Sequence, residues 1–202
     1  MLFEKIKTEI ENLDFSSIPA ERKTLLQEFA GYIRYKKANQ KAINLNFICT
    51  HNSRRSHLSQ VWTQVMAAYY KVPNVYGYSG GTEATVMYPV VGETLVSQGF
   101  ELLKLSESSN PVYALKYGEN LAPIICFSKK YDDAFNPKSD FAAIMTCSNA
   151  DQGCPLVLGA EARFPIKFED PKASDNTLHQ KQTYLERSRQ IATEIGYAFS
   201  LV

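Results

Sequence analysis

Phe47-Ile48-Cys49-Thr50-His51-Asn52-Ser53-Arg54-Arg55-Ser56 is the segment around which the rest of the chain organises. Upstream, Ile43, Leu45 and Phe47 alternate with polar neighbours and run into Ile48 and Cys49, the period-two pattern of a strand. Downstream, Leu58, Trp62, Val65, Met66 and Tyr69 fall on one helical face. Strand, loop and helix in that order open a βαβ unit. A loop joining a strand's C-terminal end to a helix N-terminus can turn successive backbone N–H groups toward one point, where the helix dipole also favours an anion. Such surroundings stabilise a thiolate at Cys49, the nucleophilic form. Arg55, six residues on and in the first helical turn, can return over the loop to hold an oxyanion through its planar fork. Ser56 can donate its hydroxyl to the same sulfur. Bare Cys-x5-Arg is a weak signal, and the flanking strand and helix give it weight. The competing reading is an ordinary βα loop with a buried cysteine and surface arginines.

The alternation continues along the chain. Val75 to Tyr78 reads as a short strand ending at Gly80-Gly81, and Pro89 to Gln98 as a helix with proline near its start and Gly99 just past its end. Phe100 to Leu105 and Phe141 to Thr146 read as further strands, and the last long helix lies within residues 176–198. Alternating strands and helices argue for an α/β fold with a three-layer, mainly parallel sheet. Within residues 106–127, two apolar runs flank Gly118-Glu119-Asn120, an inserted hairpin. Residues 1–42 read as an N-terminal helical extension to a domain spanning 43–202. Leu2, Phe3, Ile6, Ile10 and Leu13 form one stripe; after Ser16, Ser17 and Pro19, Leu25, Leu26, Phe29 and Ile33 form a second. Lys36, Lys37 and Lys41 read as a solvated face. No Gly/Ser/Pro-rich linker follows, so the extension is expected to dock on the main domain or on a second subunit as a homodimer contact.

The chain has 202 residues with 22 basic against 21 acidic side chains. A net charge of +1 gives no electrostatic reason to expect nucleic acid or an anionic membrane as partner. The start, MLFEKIKTEIENL, carries charge in every turn and lacks the apolar core of a signal peptide, and no stretch reaches the ~18–20 apolar residues of a membrane span. A cytoplasmic protein is expected. Four cysteines stand out in it: Cys49, Cys126, Cys147 and Cys154. In that compartment they point to metal, redox or nucleophile chemistry, or to small buried hydrophobes, rather than to a disulfide framework.

Cys147-Ser-Asn-Ala-Asp-Gln-Gly-Cys154-Pro155 follows the Phe141 to Thr146 strand. In a parallel sheet the C-terminal strand ends share one rim, so Cys147 starts near the loop of Cys49. Ser148, Asn149, Asp151 and Gly153 give the intervening segment mobility. A metal site competes, although two such cysteines with only three histidines in the chain make a poor zinc set, and no metal is expected. Two inert cysteines are the remaining alternative. Cys126 sits in an apolar run and reads as packing. Phe168-Glu169-Asp170-Pro171 is an Asp-Pro turn, common in itself.

The apolar strand followed by Cys-x5-Arg-Ser opening a helix resembles the low-molecular-weight protein tyrosine phosphatase family. Phe-Ile-Cys-Thr-x-Asn-Ser-x-Arg-Ser looks most like its thioredoxin-coupled arsenate reductase branch, over roughly residues 43–198. The resemblance implies a four-stranded parallel sheet flanked by helices, with Thr50, His51, Asn52, Ser53, Arg54, Arg55 and Ser56 as the oxyanion loop. It implies Cys49 as nucleophile and Asp170 as the acid that protonates the departing oxygen, with Glu169 as the lesser candidate. Cys147 and Cys154 match the reductases' redox pair. Arsenate or phosphate is then the substrate, a thioredoxin-like protein the reductant, and no cofactor is tightly bound. His51 and Arg54 depart from the reductase pattern of a small glycine and usually a cysteine. Gln60 replaces a glutamate that helps bind potassium beneath the loop in some reductases, so potassium dependence is not carried over. Lys172 follows Asp-Pro where the phosphatases often carry aromatic residues that shape a phosphotyrosine slot. A phosphotyrosine-type phosphomonoesterase and a non-catalytic redox or oxyanion sensor are the alternatives to the reductase.

Overall fold

The computed structural model describes residues 1–153 and 156–202. In chain order its elements are α1 (Glu4–Glu11), α2 (Ala20–Ala38), β1 (Ile43–Cys49), α3 (Arg55–Tyr69), β2 (Val75–Gly81), α4 (Pro89–Ser97), β3 (Glu101–Lys104), β4 (Tyr113–Lys116), β5 (Ile124–Cys126), β6 (Phe141–Met145), α5 (Ser148–Gly153), β7 (Ala160–Phe164) and α6 (Gln180–Ser200). Four strands form a parallel sheet in the order β2-β1-β6-β7. The central β6 reads FAAIM because it is buried on both faces. Ile43, Leu45 and Phe47 share one face with Ala142 and Ile144 and join the main core with Ile10, Phe29, Trp62, Leu95 and Ile195 of the helices. On the other face, Ile48, Ala143 and Met145 are covered by Ala150 of α5, Val157 and Tyr131. Among the described residues, no helix is long and apolar enough to cross a membrane.

The strand over residues 100–105 does not extend the parallel sheet. As β3 it pairs antiparallel with β4, which pairs with β5, in a separate three-stranded sheet. The reason is connection length: only a loop separates β3 from β4, and a parallel return needs a longer crossover. The hairpin around Gly118 is thus the second half of a meander. The fourth parallel strand is β7, which periodicity does not reveal. Its alternate residues Glu161 and Arg163 are charged and are used in ion pairs with Lys36 and Asp151.

The apolar stripes of α1 and α2 are covered within the chain: Ile6, Leu26, Phe29 and Ile33 are fully buried. A polar chain ties these helices in. The Trp62 indole N–H donates to Ser188 Oγ (2.9 Å), the Ser188 hydroxyl to Gln98 Oε1 (2.6 Å), and the Gln98 amide to Glu9 (3.2 Å), which also pairs with Arg189 (3.0 Å). Lys36 is not a solvated lysine: it is 3% exposed and meets Glu161 at 2.5 Å.

Candidate active site

β1 ends at Cys49, and α3 begins at Arg55, so the loop between them lies over a helix N-terminus. Among the described residues, no backbone N–H from His51 through Arg55 donates to another protein group. The carbonyls are instead held from outside. Thr82 and Glu83 N–H groups bond Cys49 and Thr50 C=O (3.1 and 2.8 Å), Ser128 Oγ bonds His51 C=O (3.0 Å), and Tyr88 N–H bonds Ser53 C=O (3.0 Å). Such anchoring needs close approach. A Cβ on Gly81 would stand 2.7 Å from both Asn52 N and Thr50 O, so glycine is required there.

Cys49 is buried, with its sulfur 3.1 Å from Ser56 Oγ. Asn52, at φ 44°, decides the direction of that bond. Its Oδ1 accepts the Lys129 N–H (2.9 Å), which fixes the amide, so Nδ2 must donate to Ser56 Oγ (2.9 Å). The Ser56 hydroxyl proton is then left for the sulfur. Arg55 lines the cleft, where its NH2 meets Asp170 Oδ2 at 2.5 Å while NH1 donates to Phe168 C=O (3.0 Å). Asp170 in turn caps the short 3-10 turn Pro171–Ser174 by accepting the Lys172 N–H. Cys49, His51, Ser53, Arg54, Arg55 and Asp170 line a cleft of about 10 Å³ in this arrangement, room for about one water.

The structure brings Cys147 to the same rim. β1 and β6 run parallel with Ile48 opposite Met145, so Cys147 stands beside Thr50, whose Oγ1 is 3.5 Å from Cys147 Sγ. The Ala150 N–H also points at that sulfur (3.4 Å), and Cys147 shares a buried cluster with Cys49. Cys154 lies outside the described residues. Cys126 is fully buried in the main core, and burial pushes its thiol up to about 12.

No protein-family model and no curated protein matches the chain. Solved structures do. The low-molecular-weight protein tyrosine phosphatase of T. tengcongensis superposes with a TM-score of 0.54 at 12% identity, covering 80% of this chain and 100% of that one. The chain has the low-molecular-weight phosphatase fold. YwlE from Bacillus subtilis matches with a TM-score of 0.52 at 11% identity, covering 79% and 97%. The Corynebacterium glutamicum thioredoxin-dependent arsenate reductase matches at 18% identity over 94% of this chain and 80% of that one, with a TM-score of 0.40.

Within this phosphatase fold, part of the loop is used in a way its sequence does not announce. Arg54 lines the cleft, yet its guanidinium is committed elsewhere. Nε donates to Tyr184 Oη (2.5 Å), NH2 meets Asp175 Oδ2 (2.5 Å), and the group lies 4.2 Å over the Tyr88 ring. Burial opposes its charge, and the Tyr184 and Asp175 bonds outweigh that, so the guanidinium is held above its ordinary value. His51 is half exposed, its Nε2 3.7 Å from Glu83. Sequence reasoning does not find Tyr88, Asp175 and Tyr184, nor Lys129 as an anchor of Asn52, because each lies tens of residues away and none belongs to a local motif.

Proposed function

We propose that this chain is a cysteine-nucleophile arsenate reductase that works through Cys49, Cys147 and Cys154. One observation carries the reading: a second thiol, Cys147, lies buried against the anion loop beside Thr50, where phosphate-ester hydrolysis has no use for it. Arsenate enters the loop, held by Arg55 and the free N–H groups. Once arsenate displaces Asp170 from Arg55, the freed carboxylate takes a proton from solvent; the Cys49 thiolate attacks arsenic, and one oxygen leaves as water with that proton from Asp170. Cys147 thiolate then attacks Cys49 Sγ. The sulfur–arsenic bond breaks with its electron pair left on arsenic, which departs as arsenite, and a Cys49–Cys147 disulfide remains. Cys154 thiolate attacks the Cys147 sulfur, frees Cys49 as thiolate, and forms a Cys147–Cys154 disulfide, which takes two electrons and two protons from a thioredoxin-like dithiol. Among the described residues, no phenylalanine, tyrosine or tryptophan lines the Cys49 cleft, which speaks against a phosphotyrosine slot.

The test is a coupled assay with arsenate, thioredoxin, thioredoxin reductase and NADPH, following NADPH oxidation and arsenite. Wild type should turn over repeatedly, and Cys147→Ser and Cys154→Ser should each stop after at most one turnover. Hydrolysis of an aryl phosphate that survives both substitutions, with no arsenite formed from arsenate, would establish the phosphomonoesterase instead. Tight oxyanion binding with neither activity would make the protein a sensor.

A further inference from the structure

A second cleft, of about 270 Å³, opens between the outer edge of β2 and β5, the edge strand of the antiparallel sheet. Tyr76, Tyr78, Tyr117, Pro123 and Phe135 line it together with Gln60 and Gln64 of α3, and it shares no residue with the Cys49 cleft. The two glutamines differ. Gln64 donates to Val75 C=O (3.1 Å) and accepts the Gly77 N–H (3.2 Å), standing in for the neighbour strand that β2 lacks on this side. Gln60, 2% exposed, donates Nε2 to Ile125 C=O (3.2 Å). Because a carbonyl only accepts, the amide must present its NH2 there, which leaves Oε1 buried with no partner among the described residues. An acceptor without a donor is costly in such a site.

We propose that this cleft binds a small planar aromatic molecule carrying one N–H or O–H donor, its ring against the tyrosine and phenylalanine side chains and its donor on Gln60 Oε1. Ring walls select a flat, polarisable partner over an aliphatic one. The unpartnered Gln60 acceptor selects a donor. Among the described residues, no charged side chain lines the cleft, so an ionic ligand would lose its hydration without a partner. Tyr76 and Phe135, both lining the cleft, are 48% and 44% exposed.

Indole is a suitable probe, with indene as its isostere lacking the donor. In ¹H–¹⁵N spectra of the full chain, indole should cause saturating shifts at the Gly77 and Ile125 amides and the Gln60 side-chain amide, and indene should bind about tenfold or more weakly. Gln60→Leu should erase the preference for indole. Ala122→Trp, at an exposed position of the cleft, should block both ligands, and it keeps the test open where Gln60→Leu fails to fold. Absence of saturating shifts at these amides, equal binding of indole and indene, or unchanged indole binding by Ala122→Trp would each overturn the proposal.

Discussion

Arg55 and Asp170 hold one another across the mouth of the candidate active site, at 2.5 Å, so the group suited to bind an oxyanion already binds the group suited to protonate it. An entering anion must compete with the Asp170 carboxylate for the same guanidinium. Asp170→Asn keeps the shape and removes the competing charge. Inorganic phosphate should then bind roughly tenfold more tightly, as an uncontested charge-assisted contact allows. Arsenate turnover should fall by about 10²-fold or more through loss of the acid. Calorimetric titration with phosphate beside steady-state rates separates the two effects, and weaker phosphate binding by the variant would remove the competition argument.

The Asn52 amide directs the Ser56 hydroxyl onto Cys49 Sγ at 3.1 Å. Loss of one hydrogen bond to an anionic atom removes about 1.5–3 kcal/mol. Ser56→Ala should therefore slow alkylation of Cys49 by iodoacetamide at neutral pH by roughly tenfold or more. Mass spectrometry of the modified peptide assigns the reaction to Cys49 rather than Cys147. An unchanged rate would mean that the loop N–H groups alone activate the sulfur.

The strand, loop and helix around Cys49 are legible because the pattern switches within a few residues from Ile43-x-Leu45-x-Phe47 to the helical spacing of Leu58, Trp62 and Val65. Asp170 is legible only through the family resemblance, since an Asp-Pro turn is common in itself, and Cys147 from its place after a buried strand. What escapes is decided by long-range partners. Arg54 reads as an anion ligand until Tyr184 and Asp175, more than a hundred residues later, take its guanidinium. Lys36 reads as a surface charge until Glu161 of β7 closes on it, and the same use of Glu161 and Arg163 hides β7 from periodicity.

Phe29 tests how firmly the N-terminal helices belong to the core. It is fully buried and meets the Phe164 ring of β7 edge-on at 5.3 Å between centroids. Phe29→Ala should cost about 3–5 kcal/mol through lost burial and the cavity left behind. Urea unfolding at constant pH measures this, and a loss below about 1 kcal/mol would show that α2 is only loosely attached.

Two buried bases behind the loop set the pH dependence of stability. Burial, and then the Lys129 charge, lowers His57 to about 3. Burial lowers Lys129, 2% exposed between the Phe127 and Phe135 rings, to about 8. In both cases the unfolded chain binds the proton more readily. Stability should fall as pH drops from about 6.5 toward 3 for His57, and rise as pH climbs from about 8 toward 10.5 for Lys129, each proton contributing a slope of up to about 1.4 kcal/mol per pH unit. Other groups titrate in these windows, and Tyr184, raised by burial and by its bond to Asp175, opposes the alkaline rise. Comparison with single variants isolates each base. Against wild type in urea unfolding, His57→Gln should lose the acid-side slope and Lys129→Met the alkaline one; a Lys129→Met profile parallel to wild type above pH 8 would show that the buried amine is not the titrating group.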